Sequence, residues 1–163
     1  MLSRLWRSLT RWPDADGWRD CLITAAAATL VIATVAGASG LLGWWPKADP
    51  ALLLVFVVPA FTEELVFRGV LPAKGESARP VLWLGVGVAA FTGWHVIEAL
   101  TFLPQARLFL EPRFLACAAM LGTACAVMRY RTGSLWPGVL FHGLVVVIWQ
   151  GLCGGPSSLE LMR

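Results

Sequence analysis

The sequence predicts an all-α fold: a polytopic membrane helical bundle of about five transmembrane segments, plus an amphipathic N-terminal helix lying in the interface. Three observations lead there. Mean hydropathy is +0.70 and only 14% of the 163 residues are charged, against about 25% in a typical soluble domain. Apolar stretches recur along the chain, bounded by proline and glycine. Several of the nine tryptophans (Trp44, Trp45, Trp83, Trp136 and Trp149) fall near the ends of those stretches, where amphipathic rings sit at headgroup level.

In chain order, residues 1–12 place Leu2, Leu5, Trp6 and Leu9 on one helical face, with Arg4, Arg7 and Arg11 mostly elsewhere. That pattern predicts a short interfacial helix. No apolar core of a cleavable signal precedes residue 21. Pro13-Asp14-Ala15-Asp16-Gly17 breaks the helix. Apolar segments follow at about Cys21–Trp45, Ala51–Pro72, Val81–Phe102, Phe114–Met128 and Ser134–Leu152. The fourth is short for a span of about 20 residues. Joints fall at Pro46, Pro72, Pro80, Pro104, Pro112 and Gly133. The length fits a single membrane domain, 1–163, with an N-terminal segment at 1–20 and a core at 51–152.

Lysine and arginine set the expected topology. With five spans, Arg4, Arg7, Arg11, Arg19, Arg68, Lys74, Arg79, Arg129 and Arg131 share one side. Lys47, Arg107, Arg113 and Arg163 fall on the other. The excess predicts a cytoplasmic N-terminus. A net charge of +3 without a basic cluster excludes nucleic acid as partner. The partners expected are the lipid bilayer and a membrane-anchored peptide or protein. Cys21, Cys117, Cys125 and Cys153 are dispersed and read as small buried hydrophobes.

Within the second apolar segment stand Glu63, Glu64 and Arg68; the only two histidines, His95 and His142, lie in the third and fifth. An acid at the centre of a bilayer costs on the order of 2.5–3.5 kcal/mol by insertion scales, so two adjacent ones call for a partner or a chemistry. Glu64 and Arg68 are spaced i,i+4 with the acid first, the favourable order on a helix. Glu63 points about 100° away and has no such partner on its own helix. His95 and His142 sit at similar depth and are its expected partners across the bundle. Apolar surroundings suit a carboxylate to act as general base near neutral pH. Imidazole beside it can share the proton or donate to an oxyanion. Glu98, three residues after His95, is placed to orient that ring.

Glu63-Glu64-x-x-x-Arg68, then Phe91-x-x-x-His95, then His142, each inside an apolar segment, resembles the Abi/CAAX-protease (CPBP) family of glutamic-type intramembrane endopeptidases. Phe67-Arg68-Gly69 and Thr132-Gly133-Ser134-Leu135-Trp136-Pro137-Gly138 resemble members too, and the likeness covers roughly residues 51–150. The resemblance implies that Glu63 activates water with help from His95, that His142 stabilises the oxyanion, and that Glu64, Arg68 and Phe91 support the site. It implies hydrolysis without a catalytic metal or cofactor, on substrates such as C-terminal anchor tails or peptide and bacteriocin precursors. One position departs from the pattern: the asparagine expected four residues after His142 is Val146, which cannot donate a hydrogen bond. Gln150, one turn further on the same face, is the available substitute. Two other readings stay open: a zinc protease built on the same carboxylates and imidazoles, and a non-catalytic scaffold or immunity protein of this fold.

Overall fold

The computed structural model describes residues 1–47, 49–103, 105–157 and 160–161. Arg163, assigned above to the far side, and Pro104, expected at a joint, lie outside the described residues. The chain is all-helical, with six α-helices and no strand among the described residues: α1 (Leu2–Thr10), α2 (Ala15–Ala38), α3 (Thr62–Arg68), α4 (Pro80–Thr101), α5 (Pro112–Thr132) and α6 (Trp136–Gly151). Of the predicted joints, Pro80, Pro112 and Gly133 are helix ends, while Pro46 and Pro72 lie in the connections between helices. Asp14 caps α2 by accepting from the Gly17 amide at 2.8 Å. Proline opens α4, α5 and α6, where its missing N–H is no loss. Gly133 closes α5 at φ +71, a conformation glycine adopts without strain.

Three helical stretches are long and apolar enough to cross a membrane: Ala15–Ala38, Pro50–Arg68 and Pro80–Thr101. Leu22, Leu30, Leu53, Val66, Val81, Val86, Ile97 and Leu100 are all exposed on them, the arrangement expected where lipid rather than water covers the surface. The helix α6 is apolar but spans only 16 residues. The fourth segment is longer than the hydropathy suggested, 21 residues. Its ends carry Arg113 and residues 129–132, which interrupt the apolar run in the sequence, and the helix itself is central. Ala118, Leu121, Gly122, Ala124, Cys125, Ala126 and Met128 are buried against its neighbours, and small side chains let helices approach closely in a bilayer. Leu121, Ala124, Cys125 and Met128 pack with Cys21 of α2 and Phe141 of α6 into one core.

The second segment departs from a continuous helix. Pro50–Phe56 is a 3-10 turn, Val57–Phe61 a wide turn, and α3 begins only at Thr62. Val58 is extended, at φ −134 and ψ 118. The ring of Pro59 forces this, since it clashes with a helical residue before it.

The loops gather at two ends. At one, the Leu135 amide donates to Ser8 O (2.9 Å), the Lys74 amide to Tyr130 O (2.8 Å), and the Trp136 indole to Leu9 O (2.8 Å). Trp12 stacks on Trp136 with centroids 5.6 Å apart. The N-terminal helix thus docks on protein as well as presenting Leu2 and Trp6 outward. At the other end, residues 43–47 run beside 151–153, with amide-to-carbonyl bonds of 2.9, 2.9 and 2.7 Å.

Candidate active site

The break at Val58 places both glutamates in the first turn of α3. Glu63 is 8% exposed and Glu64 1%. Their divergence around the helix gives each a different environment.

Glu64 faces the protein interior. Its Oε1 accepts from Arg68 Nη1 at 3.1 Å and meets His142 Nδ1 at 3.1 Å. The carboxylate can only accept, so Nδ1 of His142 carries the hydrogen. Arg68 is fully buried, and its Nε and Nη2 have no hydrogen-bond partner among the described residues. The Phe91 ring covers them, with the guanidinium carbon 4.0 Å from its centroid, a cation–π contact. Gly122 makes this possible: a Cβ there would lie 2.6 Å from Arg68 Nη2 and 2.9 Å from Phe91 Cδ1.

Glu63 faces a cavity. Its Oε2 is buried without a hydrogen-bond partner among the described residues and stands 3.7 Å from His142 Nε2, an ion-pair distance. His142 therefore lies between the two carboxylates, one ring nitrogen towards each. Sharing a proton across the longer gap would link Glu63 to the Glu64–Arg68 pair.

His95, on α4, has Nδ1 2.9 Å from Phe91 O, four residues earlier on the same helix. A carbonyl accepts, so Nδ1–H donates and Nε2 is left with its lone pair free. Phe91 packs edge-on against both imidazoles, at 4.8 Å from His95 and 5.7 Å from His142. One phenyl ring thus touches every basic group of the site.

Glu98 was expected to orient His95. The orienting acceptor is instead Phe91 O, because a helical carbonyl lies directly within reach of Nδ1. Glu98 is drawn in another way: Glu63, His95 and Glu98 each present a ligand-capable atom, all within 4.8 Å of one another.

These groups border a cavity of about 520 Å³, within the ordinary range for ligand sites. Glu63, Phe91, His95, Glu98, His142, Val146 and Gln150 all line it, and α2 closes one wall with Thr29, Ile32, Ala33 and Ala36. Val146 presents only methyl groups. Gln150 is 5% exposed and borders the same space. Phe109 and Phe114 escaped the sequence reading. Both pack against His95, at 5.3 and 5.6 Å, and they stack on each other at 4.6 Å. Nothing in their spacing points to this, since Phe109 sits in a loop folded back by the 3-10 turn Arg107–Leu110. Gly122 escaped it too. Gly138, which ends the stretch that resembles the family, makes a close approach of its own: a Cβ there would lie 3.1 Å from Glu64 Oε2.

A family model described as type II CAAX prenyl endopeptidase Rce1-like matches residues 44–148. The match covers well over half of the chain and takes in both glutamates, Arg68, Phe91, both histidines and Val146. Neither a curated protein nor a solved structure matches it. The chain belongs to the type II CAAX prenyl endopeptidase Rce1-like family, a family of proteases.

Proposed function

We propose that the protein is a glutamic-type intramembrane endopeptidase, hydrolysing a peptide bond at or near a membrane segment of its substrate. One observation carries the reading. The unpartnered Glu63 Oε2 and the free Nε2 side of His95 border one cavity inside an otherwise apolar bundle. A water held between them loses its proton to Glu63 while its oxygen attacks the scissile carbonyl carbon. The carbonyl π pair moves onto oxygen, giving a tetrahedral oxyanion. That oxyanion collapses, the C–N bond breaks, and Glu63 returns the proton to the departing amine. The products are a new carboxyl terminus and a free amine, with no covalent acyl-enzyme.

Glu64 and Arg68 hold His142, which stands beside Glu63 and helps to stabilise the oxyanion. The Gln150 amide serves as the oxyanion donor that Val146 cannot supply. Such a donor is worth about 2.7–4 kcal/mol in enzymes built around one. The lysine and arginine bias supports a cytoplasmic N-terminus, the membrane is then a bacterial inner membrane, and the substrate class that suits the apolar cavity is a C-terminal anchor tail or a peptide precursor.

A zinc-dependent reading has its own support in the Glu63, His95 and Glu98 cluster. His95 donates its other nitrogen to a backbone carbonyl, the usual arrangement behind a metal-bound imidazole. A metal there would polarise the same water that Glu63 otherwise activates.

The deciding experiment uses purified protein in proteoliposomes with an anchored tail peptide, products read by mass spectrometry. Glu63→Gln and His95→Ala abolish cleavage while the thermal transition is retained. Cleavage that survives both changes removes the site. Loss on chelation with rescue by zinc favours the metal reading. A folded, peptide-binding protein that never cleaves is a scaffold.

A further inference from the structure

Arg129, in the last turn of α5, is 2% exposed, yet its Nε and Nη1 have no hydrogen-bond partner among the described residues. It differs from the other buried arginine, Arg68, which has a carboxylate at 3.1 Å and an aromatic face over it. Arginine does not shed its charge in proteins, so burying two of its guanidinium nitrogens without acceptors is disfavoured unless something supplies them.

The surroundings add cations. Arg4, Arg7 and Arg11 lie close enough for their charges to oppose that of Arg129, and Glu76 is the acid that favours it. Glu76 is already engaged. Its Oε1 accepts from Arg7 Nη2 at 2.9 Å, and its Oε2 meets Arg4 Nε at 3.4 Å and the Ala73 amide at 3.2 Å. Arg11 is exposed and leans over Gly133, its Nη1 3.0 Å from where a Cβ would stand. No carboxylate pairs with Arg11 or Arg129 among the described residues. Four guanidinium groups therefore share one carboxylate.

The place is the end of the bundle where α1 docks, with Met1, Leu2, Trp6 and Trp12 exposed beside the cluster. Exposed apolar and aromatic side chains next to arginines mark a membrane interface. We propose that Arg129 and Arg11, flanked by Arg4 and Arg7, form a phosphate-binding site that takes an anionic lipid headgroup or free phosphate. Two guanidinium groups converging on one oxyanion are the ordinary means of phosphate recognition. Glu76 sets the geometry by holding Arg4 and Arg7 in place. The site lies apart from the glutamates and does not depend on the proteolytic reading.

The test uses full-length protein purified in an uncharged detergent, with thermal unfolding followed at constant ionic strength. Additions are phosphatidylglycerol, phosphatidylcholine and inorganic phosphate. Phosphatidylglycerol raises the transition temperature and phosphatidylcholine does not. Inorganic phosphate acting alone identifies a soluble phosphate site, and a requirement for the lipid identifies a headgroup site. Arg129→Gln and Arg11→Gln each weaken the apparent affinity about tenfold or more, the loss of one charge-assisted hydrogen bond. Arg11 is exposed, so its variant carries the test if Arg129→Gln fails to fold. Arg19→Gln, an exposed residue paired with Asp16, leaves the response unchanged. Equal stabilisation by both lipids, or an undiminished response in Arg11→Gln together with Arg129→Gln or Arg129→Lys, overturns the proposal.

Discussion

Removing the guanidinium of Arg68 tests whether Glu64 is explained by its ion pair. Both side chains are essentially inaccessible, 0% and 1% exposed, and 3.1 Å apart. Arg68→Met keeps most of the side-chain volume but leaves the Glu64 carboxylate buried with only His142 for company. Breaking a buried pair from one side costs about 3–5 kcal/mol, because the surviving charge is uncompensated. For a chain of this size, about 2–4 °C per kcal/mol converts that into a fall of roughly 6–20 °C in transition temperature. The double change Glu64→Gln with Arg68→Met removes both charges and should regain at least half of the loss, as replacement of a whole buried pair is often close to neutral. Tryptophan fluorescence during thermal unfolding in detergent micelles reads both variants against wild type. If the double variant is no more stable than Arg68→Met, Arg68 is not neutralising Glu64 and the division of labour between the two glutamates is wrong.

Gln150→Leu, within the proteolytic reading, should lower kcat about 10²–10³-fold with KM nearly unchanged, and Val146→Asn placed on that background should restore part of it. A kcat in Gln150→Leu equal to wild type would show that the oxyanion donor lies elsewhere. Gly122→Ala drives a methyl into Arg68 and Phe91 and should destabilise by about 1–3 kcal/mol. Gly85→Ala, in the same bundle but facing open space, should be stabilising by up to about 1 kcal/mol; similar shifts for the two glycines, read by thermal unfolding, would contradict the close approach. Glu160 lies outside the spans, and the Ser157 backbone amide, its hydroxyl and Lys47 hold its carboxyl below the usual glutamate range. Its folded value is depressed, so its contribution is complete above the ordinary value and lost as pH falls through the lowered one. An NMR titration of the Glu160 carboxyl should give a midpoint below that of a free glutamate, and one at or above it would refute the contact.

The features legible in the sequence were those written in local spacing. Glu64 with Arg68 at i,i+4, the prolines that open helices, and Gly133 at a helix end all follow from rules that act within a few residues. Apolar composition gave the helical membrane class for the same reason. The break before α3 was less accessible, because a hydropathy profile does not register that Pro59 forces Val58 out of the helix. The length of α5 was misjudged because Arg113 and residues 129–132 cut its apolar run short, whereas the helix continues through them with Arg129 and Thr132 buried. Phe91 O orienting His95, and Phe109 folding back onto the same ring, depend on contacts between distant segments or on backbone groups that no residue type announces.

The helix carrying both glutamates has only seven residues. An isolated helix below about 12–15 residues does not hold itself together in water, and the turn before it contributes no regular ladder at Val58. Its order is therefore borrowed from α4, α5 and the turns around it. Segments of that kind open locally at free energies well below global unfolding. Amide hydrogen exchange along residues 57–68 should then run faster than in α5 even though Glu64 and Arg68 are among the least accessible side chains of the protein. A bundle built this way can admit water to a membrane-embedded site by loosening one short segment while its long helices stay closed.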